Sequence, residues 1–114
     1  MAVKNKVLPI PLTFIDAATF TGAYQLLSGA GGLTDPCIIL EITNNSNRGV
    51  TISYDGVNDH DFVRAASDRL YEFQTNSQPQ NQAATMARGT QIYVKAAAGA
   101  GLVYLSGFFQ PVLV

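Results

Sequence analysis

The sequence predicts an all-β chain, an antiparallel β-sandwich or jelly roll of about seven or eight short strands with extended N- and C-terminal arms. Three observations predict it. Apolar residues alternate with period two in several segments, and no segment keeps them at i, i+3, i+4 and i+7 over three helical turns. Clusters of Gly, Asn, Asp and Ser recur between these segments, as turns require. At 114 residues the chain supports one hydrophobic core and not two. It therefore reads as one sandwich domain over residues 18–110, with an N-terminal arm at 1–17 and a C-terminal tail at 111–114.

The arm contains Val7-Leu8-Pro9-Ile10-Pro11-Leu12, apolar but punctuated by prolines, so it is expected to be extended and kept out of any central strand. Thr19 to Leu27 reads as a strand, and Ser28-Gly29-Ala30-Gly31-Gly32 as a flexible loop. That loop lacks the Lys-Ser/Thr ending of a phosphate cradle. Cys37 has no partner for a disulfide and reads as a small apolar residue at a strand start.

The clearest unit is Ile38, Leu40 and Ile42 alternating with Ile39, Glu41 and Thr43, then the polar loop Asn44 to Gly49, then Val50, Ile52 and Tyr54 alternating with Thr51, Ser53 and Asp55. Its pattern is that of a hairpin. A short strand near His60 to Arg64 turns Phe62 inward or toward a neighbour, and a turn at Ala66-Ser67-Asp68 follows. Leu70 to Thr75 reads as a strand with Tyr71 and Phe73 on one face, and residues 76–82 as a surface loop or exposed arm. Arg88-Gly89-Thr90 introduces a strand with Ile92 and Val94 on one side and Gln91, Tyr93 and Lys95 on the other. After the turn Ala96 to Gly101, Leu102 to Gln110 is apolar on both faces, the signature of a strand covered on both sides. The apolar ends supply a candidate interface of Val7, Leu8, Ile10, Leu12, Phe108, Phe109, Val112, Leu113 and Val114, packed on their own domain or on an adjacent subunit.

Charged residues are 13% of the chain, against roughly 25% in an average soluble protein. A surface of Asn, Gln, Ser, Thr and Ala loses water at less cost than one of Lys and Glu, which suits contacts between subunits. Seven basic residues are scattered against eight acidic ones, for a net charge of -1, so nucleic acid is not an expected partner. No signal peptide is visible, and the apolar C-terminal stretch is shorter than the ~20 residues of a membrane span, so the chain is expected to be soluble, made in the cytoplasm and without a membrane partner.

The one constellation with chemical potential is Asp55-Gly56-Val57-Asn58-Asp59-His60-Asp61, holding the only histidine. Asp55, Asn58, Asp59 and Asp61 are candidate oxygen ligands for a hard cation. The stretch lacks the spacing of a calcium loop, and its residues are those of a β-turn, which is the reading adopted. No serine lies in a nucleophile-elbow motif, and Glu41 and Asp55 fall on polar strand faces where solvated carboxylates belong. Neither catalytic machinery nor a cofactor is expected. The aromatic residues lack interleaved arginines, which favours a core over a base-stacking platform.

Three stretches together resemble a known family: Ala18-Thr19-Phe20-Thr21-Gly22-Ala23-Tyr24-Gln25; Ile42-Thr43-Asn44-Asn45-Ser46 with Val50 to Gly56 and Asn58-Asp59-His60-Asp61; and Ala87-Arg88-Gly89-Thr90-Gln91-Ile92-Tyr93-Val94-Lys95 closing with Val103-Tyr104-Leu105-Ser106-Gly107. In this order they are similar to small virion structural proteins of tailed bacteriophages. The resemblance implies a compact β-sandwich attached to head, collar or tail, with no catalytic residues. The expected function is a capsid decoration or cement subunit, assembled in the host cytoplasm into the virion and held by further copies and by the major capsid protein. The alternatives are a collar, tail or fibre module and, from another class, a carbohydrate- or calcium-binding β module.

Overall fold

The alternation that begins at Ile38 builds the central strand of the molecule. In the computed structural model, which describes residues 8–72 and 86–109, the strands are β1 (Leu8–Pro9), β2 (Thr13–Asp16), β3 (Gln25–Leu26), β4 (Ile39–Ser46), β5 (Val50–Ser53), β6 (Asp61–Val63), β7 (Ser67–Glu72), β8 (Tyr93–Lys95) and β9 (Gly101–Phe109). Leu40, Ile42, Asn44 and Ser46 of β4 are buried, while Ile39, Glu41, Thr43 and Asn45 face outward. Successive side chains on a strand leave opposite faces, so one sheet offers one face to the core and the other to solvent or to a partner.

The strands form two antiparallel sheets, one in the order β1-β9-β4-β7 with β2 also on β9, the other in the order β3-β8-β5-β6. This is the all-β sandwich that the alternation predicts. Between the sheets lie Leu40, Ile42, Val103 and Leu105 from the first and Val50, Ile52, Val63 and Val94 from the second, closed by Ile10, Ala17, Phe20, Leu27, Leu33 and Ile92. Cys37 is buried and bridges Met86 through reciprocal backbone hydrogen bonds of 2.9 and 2.8 Å.

Several local expectations are corrected. β4 and β5 are not a hairpin, because they belong to different sheets. β4 runs on through Asn44 to Ser46, and the chain crosses the sandwich at Asn47 to Gly49. The crossing is organised by Asn44, which is buried: its Nδ2 donates to the carbonyls of Arg48, Val63 and Arg64 at 2.7, 3.2 and 3.1 Å, and its Oδ1 accepts from the amide and hydroxyl of Ser46. A polar side chain can take an inward position when every donor and acceptor it brings is answered.

Thr19 to Leu27 is not one strand. Asp16 caps a single 3-10 turn at Ala17–Thr19, its carboxylate accepting from the Ala18 amide, and only Gln25–Leu26 pairs, with β8. Ser28 to Gly32 is fixed rather than flexible. Ser28 Oγ accepts from the Ile92 amide, Gln91 Nε2 donates to the Ala30 carbonyl, and Gly32, at φ +74°, lies so close to Gly89 that a Cβ would sit 2.4 Å from its carbonyl oxygen. β7 starts at Ser67, earlier than the predicted strand, and Ala66, at φ 57°, makes the turn before it. Phe73 and residues 76–82 lie outside the described residues, as do Val7, Val112, Leu113 and Val114.

The described part of the N-terminal arm packs on its own domain. β1 and β2 pair with β9, Ile10 donates its amide to the Gly107 carbonyl at 2.9 Å, and its side chain is buried in the core. The prolines hold this segment at the sheet edge, as their missing N–H requires. Finally, among the described residues β9 is covered on one side only: Val103, Leu105 and Gly107 are buried, and on the opposite face Leu102, Tyr104 and Ser106 are half-buried and Phe108 is exposed.

Candidate interaction surface

The acidic loop between β5 and β6 is a set of separate hydrogen-bonded carboxylates. Asp55 Oδ1 accepts from the amides of Val57 and Asn58, both at 2.8 Å, and from the Ser53 hydroxyl at 2.9 Å, while Oδ2 accepts from Asn58 Nδ2 at 2.8 Å. The Asn58 and Val57 amides lead in holding the Asp55 carboxyl well below the usual range. Asp59 faces another way, accepting from the Tyr24 hydroxyl and lying 3.0 Å from Lys95 Nζ. Those two contacts, Tyr24 first, lower its pKa. Asp61 belongs to β6, where Oδ2 accepts from the Tyr71 hydroxyl at 2.5 Å and lies 3.2 Å from Arg69 Nε.

Among the described residues no group of three or more His, Cys, Asp and Glu is placed to hold a metal. Asp55, Asn58, Asp59 and Asp61 thus do not converge on one point, and each acid serves the local fold. His60 Nδ1 accepts the Tyr54 amide at 3.0 Å, its ring stacks on Tyr54, and Nε2 lies 3.9 Å from Asp55 Oδ2. One nitrogen is committed to the backbone, and the ring braces the loop.

Among the described residues, the face that stands open is the outer side of the five-stranded sheet. Register places Phe14, Tyr104, Thr43 and Asp68 in one cross-strand row, Ser106, Glu41 and Leu70 in the next, and Pro9, Phe108, Ile39 and Glu72 in the third. Phe14 is 59% exposed, Leu70 58% and Phe108 42%. Phe14 and Tyr104 stack at an angle with ring centroids 6.1 Å apart. Large apolar side chains clustered on one face mark a contact surface, whereas the same residues scattered singly would not.

The outer side of the four-stranded sheet differs. There Lys95 pairs with Asp59 and lies 4.6 Å from the centre of the Tyr24 ring, and Tyr24 meets Tyr93 edge to face. Tyr24 and Tyr93 thus have partners within the chain, and Phe62 is the large apolar side chain left exposed on that side.

Charge on the open face is of one sign. Asp16, Glu41, Asp68 and Glu72 occupy outward strand positions, and among the described residues no Lys or Arg does. Asp68 shares a hydrogen bond with Glu41 and thereby raises the Glu41 pKa. At the end of the face a depression of about 260 Å³ is lined by Thr43, Asn44, Asn45, Ala66, Ser67, Asp68 and Tyr104.

Of the apolar-end residues singled out in the sequence, Leu12 and Phe108 are exposed, Leu8 and Phe109 are half-buried, and Ile10 is in the core. Phe14, Leu70 and Tyr104 are additional to that interface set. The signal for Phe14 was present in the alternation Thr13-Phe14-Ile15-Asp16, too short to stand out beside two prolines. Against this geometry no known protein family, no curated protein and no solved structure matches the chain.

Proposed function

We propose that the chain is a non-enzymatic structural subunit of a phage virion, a decoration or cement protein that strengthens the head by bridging its subunits. The observation that supports this reading is the outer face of the five-stranded sheet, with Phe14, Leu70 and Phe108 exposed on it. Such a face gains most when covered, because each apolar side chain removed from water contributes roughly 25 cal/mol per Å². The low charge content favours the same role, since few ions must lose water on assembly. The virion context follows from the sequence resemblance, and the partners in this reading are the major capsid protein and further copies of the chain.

Immunogold labelling of intact particles tests it. Gold distributed over the head is the expected result. Gold confined to the neck or tail replaces the cement role with that of a collar, tail or fibre component, and particles without gold overturn the virion reading.

A further inference from the structure

We propose that the outer face of the five-stranded sheet docks a basic partner surface, with an arginine of that partner seated in the depression between Tyr104 and Asp68, and not a second copy of this chain. The inference rests on the assembly reading above and adds the chemistry of the partner.

Three features of the face carry it. The first is the exposed apolar set Phe14, Leu70 and Phe108, which needs a cover of matching area. The second is charge. Glu41 and Asp68 lie on neighbouring strands in the middle of that set, with Asp16 farther along, and no outward strand position among the described residues holds a cation. Two copies meeting face to face across a two-fold axis would bring these acids against each other, and like charges juxtaposed at an interface are strongly unfavourable. A partner bearing cations meets no such barrier.

The third feature is the shape and lining of the depression. Tyr104 supplies an aromatic wall, Asp68 a carboxylate, and Thr43 and Asn45 further hydrogen-bonding groups, in a space of about 260 Å³. A guanidinium is planar and weakly hydrated, stacks on aromatic rings and donates in pairs to a carboxylate. The lining answers each of those properties. Within the chain Lys95 is paired to Asp59 on the other sheet and Arg69 to Asp61 at the sandwich edge, while Arg64 lines a separate depression on the far side of Asp68, and none of the three lines the depression beside Tyr104.

The test uses the intact chain and two defined probes, short peptides alternating Arg with Val and Glu with Val, followed by backbone amide shifts in NMR. The Arg peptide is expected to shift Phe14, Glu41, Leu70, Tyr104 and Phe108 while leaving Asp55 and Asp59 unmoved, and its binding should weaken as salt is added. The double variant Glu41→Lys, Asp68→Lys should reduce that binding by roughly tenfold or more, and the same titration on Tyr104→Leu tests the aromatic wall. Equal binding of both peptides, or concentration-dependent shifts of the same residues without peptide, overturns the basic-partner inference and leaves the interface reading standing. A face that responds to neither peptide and does not self-associate, with Phe14→Ser, Phe108→Ser particles labelled like the wild type, overturns both.

Discussion

At the scale of single residues, Asn44 governs the passage of the chain from one sheet to the other. Its amide answers three carbonyls, of Arg48, Val63 and Arg64, and its carbonyl answers Ser46. Asn44→Ala strands these groups in a buried site, and the expected loss is about 2–4 kcal/mol of stability, measured by urea unfolding. Asp55 governs the neighbouring loop through charge. Its donors stabilise the carboxylate, so its folded pKa lies below the unfolded value of about 3.9. The stabilisation is present above that value and is lost as pH falls from about 4 toward the folded pKa. The melting temperature of Asp55→Asn should therefore fall less steeply than that of the wild type between neutral pH and pH values below about 4. Both residues were visible in the sequence as turn formers, but their tasks were not. Asn44 and Ser46 keep the phase of Leu40 and Ile42, yet an inward asparagine is credible only once its partners, up to 20 positions away, are known. The acids of the 55–61 loop sit close in sequence, and the backbone points them apart.

At the scale of elements, the pairing of β4 with β9 holds the first sheet together, from Ile39 opposite Phe108 to Ser46 opposite Gly101. Gly107 sits in this ladder because there is no room for more. A Cβ there would lie 2.7 Å from Leu40 Cδ2 and 2.9 Å from the Ile39 carbonyl oxygen. Gly107→Ala is expected to cost about 1–3 kcal/mol by overpacking, seen as a lower urea midpoint with an unchanged slope. Across β4 and β7 the sheet carries a different tension. Asp68 raises the folded pKa of Glu41, so the contribution of Glu41 to stability is present below its unfolded pKa of about 4.3 and is lost as pH rises through the folded value. Glu41→Gln should raise the melting temperature at neutral pH and leave it nearly unchanged in acid. The strands themselves were legible where alternation was long, in β4, β5, β8 and β9. The strand β2 and the sheet assignment were not legible, because period two says which residues share a face and nothing about which sheet receives the strand.

At the scale of the whole molecule, the two outer faces have been built for different surroundings. On the four-stranded sheet Tyr24, Tyr93, Lys95 and Asp59 answer one another. The five-stranded sheet leaves Leu70, Phe108 and much of Phe14 exposed, and among the described residues no outward strand position offers a cation to Glu41 and Asp68. Two neighbouring carboxylates, Glu41 and Asp68, set among exposed apolar side chains suit a surface whose partner supplies the opposite charge. This leads to a comparison in which stability and association separate. Phe14 and Phe108 contribute only part of their area to the fold, so the double variant Phe14→Ser, Phe108→Ser should keep its secondary structure and a cooperative melt, at a lower temperature that reflects a loss of about 2–5 kcal/mol. Its incorporation into particles, read by quantitative immunoblotting, should nevertheless fall by roughly tenfold or more, as loss of apolar anchors at an interface does. Phe62→Ser is the matching control, since Phe62 is 51% exposed on the four-stranded sheet. Equal loss for both variants would mean that exposure of aromatics in general, and not this face, governs association.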